Sequence, residues 1–179
     1  MATADDVLAF WFDELTPEQW FKTFAEVDEA IRTRFGETHD CAVRAELWTW
    51  RETPEGRLAE IIVLDQFSRN LYREDGRGFA ADPLSLALAQ EAIRAGADQA
   101  LQGPQLAFLF MPFMHSESII IHNIAGELFS RPGLERNLES QIQHHAVLER
   151  FGRYPHRNAV LGRESTAEEL AFLEGGRGF

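Results

Sequence analysis

A single cysteine, Cys41, stands in this chain of 179 residues. No intramolecular disulfide, paired-cysteine redox site or cysteine-based zinc site can be built from it, and a reducing compartment, the cytoplasm, is expected. Lysine is equally scarce: Lys22 is the one lysine among seventeen basic residues, the other sixteen being arginine. Long hydrophobic runs are missing too. The longest, Leu106 to Met114, has nine residues and contains Pro112, about half of what a membrane-spanning helix needs. Asp5 and Asp6 lie where a secretory signal would carry positive charge, so neither export nor membrane insertion is expected. No glycine-rich phosphate loop, nucleophile elbow or helical His-Glu-x-x-His occurs, so the familiar enzyme signatures are absent and whether the chain is an enzyme stays open.

A net charge of -12 argues against non-specific nucleic-acid binding, which needs many cations to neutralise phosphates. That charge is unevenly spread. Residues 1–60 hold 6 basic and 14 acidic side chains and residues 164–179 hold 1 and 4, whereas residues 61–163 hold 10 and 11. Arginine is thus concentrated in the middle of the chain, where its planar fork suits carboxylate or phosphate. With 45% hydrophobic residues, fourteen Phe and four Trp, one domain spanning residues 1–179 can bury a sizeable core and needs no cofactor or metal to hold it.

Helix starts punctuate the sequence and strand signals do not. Thr3 can cap a first helix carrying Val7, Phe10 and Trp11. Thr16-Pro17-Glu18 and Thr53-Pro54-Glu55 each place a capping hydroxyl, a proline at the first helical position and an acid in the first turn. After the first of these, Phe24, Val27, Ile31 and Phe35 draw one apolar stripe; Leu58, Ile61, Ile62 and Asp65 continue the logic after Thr53. Asp82-Pro83 opens a helix that Gly96 should end, and Gly103-Pro104 opens another, expected to break at Pro112 and resume near Ser116. A long helix from Leu134 should stop at Gly152, and Thr166 with Glu169 is a capping box for a last one. The expectation is an all-α fold of about eight helices packed as antiparallel hairpins.

Three segments are more polar than packing requires. Leu64-Asp65-Gln66-Phe67-Ser68-Arg69-Asn70-Leu71-Tyr72-Arg73 ends an apolar helix, with Asp65 and Arg69 four apart on one face, either as a helix-end tie or as part of a site. Pro112-Phe113-Met114-His115-Ser116-Glu117 brings a histidine and a carboxylate to a proline break. His122 follows His115 by seven residues, two turns along the same face if the helix is continuous, but no third metal ligand has a matching spacing. Phe151-Gly152-Arg153-Tyr154-Pro155-His156-Arg157-Asn158, followed by Gly162-Arg163, gathers arginines, a histidine and an asparagine after a glycine stop. Cys41 and the pair His144-His145 are expected to be structural.

Taken in order, these three segments resemble the hallmark motifs of a bacterial family catalogued as domain of unknown function number 924. The third motif runs on through Leu161-Gly162-Arg163-x-Ser165-Thr166, and Phe10-Trp11-Phe12 and Arg34-Phe35 also match. The chain departs from the pattern at Ser68, where proline is usual, and at Ser118, Ile121 and His122. The resemblance implies a tetratricopeptide-repeat-like superhelix of helix hairpins, with no established activity.

Two functional readings follow. In the first, Arg69, Asn70, Arg73, His115, Glu117, Arg153, His156, Arg157 and Asn158 converge on one polar pocket for a small anionic metabolite. His115 or His156 would then be the acid or base, with Glu117 as its partner. In the second, the same groups are internal glue and the chain is a scaffold for a protein partner. Either way Asp65 is expected to pair with Arg69 or with an arginine of residues 153–163.

Overall fold

A computed structural model of the chain describes residues 1–176, and among them every regular element is helical. Side-chain capping starts several elements where the sequence demands it. Thr3 accepts from the Asp6 amide at 3.2 Å and Asp6 accepts from the Thr3 amide at 2.8 Å, which opens α1 (Ala4–Leu8). The helix widens into a π-helical stretch, Ala9–Glu14, that buries Phe10 and Trp11. Pro17 begins α2 (Pro17–Phe21), where Gln19 accepts from the Thr16 amide at 2.9 Å. The apolar stripe expected to follow lies on a separate helix: Lys22 and Phe24 are extended, and α3 (Ala25–Val43) buries Val27, Ile31 and Phe35.

A 3-10 turn, Trp48–Glu52, leads to Thr53, whose hydroxyl accepts from the Gly56 amide at 3.0 Å and starts α4 (Pro54–Ile62). This helix runs through a second π-helical stretch, Val63–Phe67, into α5 (Ser68–Leu71). Every residue from 58 to 68 is buried. At about 2 kcal/mol for each large apolar side chain, Leu58, Ile61, Ile62, Leu64 and Phe67 make this rod the centre of the fold. After it come α6 (Arg77–Ala80), α7 (Asp82–Arg94), α8 (Ala97–Ala100) and α9 (Gly103–His115), and α4 packs against α1, α7, α8 and α9. Gly96 takes the left-handed conformation that stops α7, as its position requires.

Proline 112 does not break α9, which continues to His115. Leu106 to Met114 is buried on every side, so packing offsets the one backbone hydrogen bond that proline deletes. The interruption comes at residues 116–118 instead, before α10 (Ile119–Phe129). Next is α11 (Glu135–Phe151), which Gly152 ends at φ +68°. A 3-10 turn, Pro155–Arg157, precedes α12 (Ala167–Glu174), and α12 carries the Thr166 and Glu169 capping box. Successive helices α9, α10 and α11 pack on one another. The surplus over the eight helices expected comes from short pieces: α5, α6, α8 and the separation of α2 from α3. No helix among the described residues is long and apolar enough to cross a membrane.

Candidate functional site

The fold brings α2, the end of the central rod, α6, the end of α9, α11 and the turn at Pro155 around one cleft of about 400 Å³. Six of the nine residues expected to converge line it: Arg69, Asn70, Arg73, His115, His156 and Arg157. Glu117, Arg153 and Asn158 do not. Because α9 ends at His115 and residues 116–118 leave the helix, Glu117 turns away and accepts from Arg163 at 2.7 and 2.9 Å and from the Tyr154 amide at 2.7 Å. Arg153 holds Glu169 at 2.7 and 2.8 Å and the Glu164 carbonyl at 2.8 Å, which docks α12. Asn158 is buried and donates to Ser165 while accepting from Arg163 at 2.9 Å. These three groups brace the third motif from behind.

Asp65 lies in the π-helical stretch, a geometry that recurs at functional sites. Its carboxylate is 1% exposed and faces three donors: His115 Nδ1 at 2.8 and 3.0 Å, Gln66 Nε2 at 2.5 Å and Arg69 Nη1 at 3.2 Å. The partner that orients His115 is therefore Asp65 and not Glu117. Burial would push the Asp65 carboxyl up, but the Arg69 guanidinium and the His115 ring hold it well below the usual carboxylate range. With the carboxylate on Nδ1, the neutral imidazole keeps its proton there and leaves a lone pair on Nε2. His115 Nε2 has no hydrogen-bond partner among the described residues and is not a buried orphan, so it opens to the cleft.

Asp82, at the start of α7, is the second anchor. It takes the fork of Arg69 at 3.0 Å on each oxygen, and Arg157 Nη1 at 3.2 Å. The first and third motifs are thus joined through Asp82, while Asp65 is bound to Arg69 as expected and to no arginine of residues 153–163. Arg157 also donates to the His115 carbonyl at 2.9 Å and lies over the Phe79 and Tyr154 rings at 4.5 and 4.7 Å. Burial lowers its pKa from the ordinary arginine value, and the neighbouring Asp82 works against that shift. Asp28, on α3, completes the set by accepting from Arg73 Nη2 at 2.6 Å and Asn70 at 2.8 Å.

The three guanidiniums Arg69, Arg73 and Arg157 are therefore matched by three carboxylates, and the cleft does not offer the excess positive charge that the arginine count implies. What it offers is unused donors. Arg69 Nε and the second proton of its Nη2 have no acceptor among the described residues, and neither do the protons of Arg73 Nη1. Lys22 adds a charge at the rim, paired with Glu18 at 2.7 Å.

The lining is also aromatic. Trp20 and Phe21 of α2, Tyr72 and Phe79 all contribute to it, Phe79 lying beneath the Arg69 and Arg157 guanidiniums, and Trp20 is fixed by donating to the Trp11 carbonyl at 2.7 Å. The sequence does not mark these rings or His144 as site residues, since aromatics and histidines in a helical pattern are ordinarily structural. His144 and His156 both line the cleft, and burial pushes them down to about 3 and about 4, so both are neutral at pH 7. His122 faces elsewhere: it is buried against Tyr154 Oη at 3.0 Å and Gln141 at 3.0 Å, not aligned with His115. Ser68, at the position where the family pattern has proline, donates to the Leu64 carbonyl at 2.6 Å and meets His39 at 2.8 Å. Among the described residues no three His, Cys, Asp or Glu side chains are grouped to hold a metal ion.

A family model of bacterial proteins of unknown function (DUF924) matches residues 7–177. The chain belongs to this family. A solved structure of a protein of unknown function from Agrobacterium tumefaciens is similar throughout, at 40% sequence identity and a TM-score of 0.91, covering 96% of this chain and 97% of its own. A comparison with curated proteins finds no match. The solved relative shares the all-α architecture described above, and both it and the family are described as of unknown function, so the reading of function rests on the cleft.

Proposed function

We propose that the cleft binds a small organic anion with an aromatic or apolar part, in the cytoplasm. The observation that carries this reading is the lining of one cleft of about 400 Å³ by two unlike kinds of side chain. The unused N–H donors of Arg69 and Arg73 and the open Nε2 of His115 share it with the rings of Trp20, Phe21, Tyr72 and Phe79. Mostly apolar concavities with a few convergent polar groups, in this size range, are where small ligands bind. Because the guanidinium charges are already balanced by Asp28, Asp65 and Asp82, recognition is by directed hydrogen bonds and stacking, and its salt dependence is shallow.

Thermal unfolding in the presence of benzoate, phenylacetate and phenyl phosphate, with acetate and inorganic phosphate as arms lacking the ring, tests this. At a concentration of one hundred times Kd an aromatic anion stabilises by about 2.7 kcal/mol, and Arg69→Gln removes the shift. If no aromatic anion moves the transition at millimolar concentration, the reading fails.

A second reading, a scaffold for a protein partner built on a tetratricopeptide-repeat-like stack, draws on α10. There Ile120 is 71% exposed, with Ile119 and Ile124 beside it at 40% and 42%. Under that reading Ile120→Asp abolishes association with a partner and leaves anion binding untouched.

A further inference from the structure

We propose that the cleft hydrolyses an activated carboxylic ester that bears an acidic group, with His115 as the general base acting on water; this rests on the ligand-binding reading above. Three observations lead there. His115 Nδ1 is tied to the buried Asp65 carboxylate at 2.8 and 3.0 Å, which sets the tautomer and aims the Nε2 lone pair into the cleft. Asp65 is itself held by Gln66 and Arg69, so the dyad is rigid. The third observation concerns the nucleophile. The residues lining the cleft include no serine or cysteine, and the hydroxyls among them, those of Thr23 and Tyr72, make no hydrogen bond to His115, so the base is assigned water to activate.

The step balances as follows. Nε2 takes a proton from water while the water oxygen bonds to the acyl carbon, and the carbonyl electron pair moves onto oxygen. The Arg69 N–H groups that have no protein acceptor stabilise that oxyanion. Collapse re-forms the carbonyl and breaks the bond to the leaving oxygen; the leaving group departs as an alkoxide or phenoxide, and the proton on Nε2 passes to it or to solvent. The net change is ester and water to acid and alcohol.

The chemistry also selects the leaving group. An amide requires the imidazolium formed on His115 to reach and protonate the departing nitrogen, whereas a phenoxide leaves without that help. An ester whose alcohol leaves without protonation, such as an aryl ester, fits a site with a single base. The aromatic side chains of the lining suit its ring, and the unused Nη1 protons of Arg73 suit its acidic group.

The test uses 4-nitrophenyl hemisuccinate as substrate and the corresponding 4-nitroanilide as an analogue that binds without turning over. Expected are saturable turnover above the buffer rate, a loss on the order of 100-fold in kcat for His115→Gln, and an unchanged Kd for the anilide in that variant. Added imidazole should restore turnover to His115→Gly, which a merely structural role would not allow. His145→Gln, on α11 and outside the cleft, should behave as the parent protein. Anilide that binds while the ester turns over no faster than in buffer overturns the base assignment and leaves the binding reading standing. Anilide that fails to bind overturns both. Turnover that survives His115→Gln assigns the chemistry elsewhere and overturns the proposal.

Discussion

Replacing Asp82 with asparagine keeps its shape and removes the one negative charge shared by Arg69 and Arg157. The two arginines are not affected alike. Arg69 still has Asp65 at 3.2 Å, whereas Arg157, whose side chain is 7% exposed, is left with the His115 carbonyl and two aromatic faces. Breaking a buried pair by removing one partner costs about 3–5 kcal/mol, because the other charge stays buried and uncompensated. Asparagine retains an acceptor oxygen, so the lower end, about 3 kcal/mol, is expected for Asp82→Asn. In a chain of this size that lowers Tm by about 6–12 °C.

The reverse change is milder. Arg157→Gln leaves Asp82 engaged by both Nη groups of Arg69 at 3.0 Å, and a loss of about 1–2 kcal/mol is expected. Urea unfolding of both single variants and the double variant closes the cycle. The double should be more stable than the sum of the singles implies, with a coupling of about 1 kcal/mol or more. An Asp82→Asn protein within about 0.5 kcal/mol of the parent, or strictly additive losses, would refute the shared-anchor reasoning.

Acidification should destabilise the chain in a window set by three histidines, His122 buried and His144 and His156 partly so. His122 and His156 are lowered to about 4 and His144 to about 3, each chiefly by burial, so between pH 6.5 and about 4 the unfolded chain binds more protons than the folded one and stability falls as pH falls. Urea midpoints at pH 7 and pH 5 should differ by on the order of 1–2 kcal/mol per histidine, and a flat profile would contradict their neutral burial. Asp65 adds a further loss below the ordinary carboxylate range, as pH descends toward its depressed value; this acid limb should be missing from the pH profile of Asp65→Asn. Gly78→Ala should cost about 1–3 kcal/mol, since an added Cβ would lie 2.8 Å from the Tyr72 carbonyl at the cleft wall, and circular dichroism melting would detect it. Gly152→Ala, at φ +68° and in open space, should cost about 1–2 kcal/mol from backbone strain alone.

What could be foreseen and what could not divides along the range of the interactions. Thr3, Thr53 and Thr166 cap helices within three residues of themselves, and Gly96 and Gly152 end them, so these boundaries are local and legible. The excess of polar groups around Arg69, His115 and Arg157 is legible as well, because packing alone does not ask for it. Their partners are not. Asp28 meets Arg73 across 45 residues and Asp82 meets Arg157 across 75, and no spacing rule reaches that far. Nor does hydrophobic periodicity reveal the π-helical stretch at Val63–Phe67 or the break at Lys22 that frees Trp20 and Phe21 to line a cleft. Glu117 was misplaced for a related reason: adjacency to His115 suggests partnership, yet the helix ends between them.

The anchor at Asp82 also has a consequence in time. Its two arginines lie 13 and 75 residues along the chain from it, so a growing polypeptide has Arg69 and Asp82 in hand long before Arg157 exists. Contacts this distant in sequence form late because their loops must close first. On a ribosome the central rod and α7 can pack while the wall contributed by the Pro155 turn is still unmade. Full occupancy of Asp82 thus waits until residue 157 has been made, and a chain cut short before that point would carry the first half of the cleft with nothing to close it.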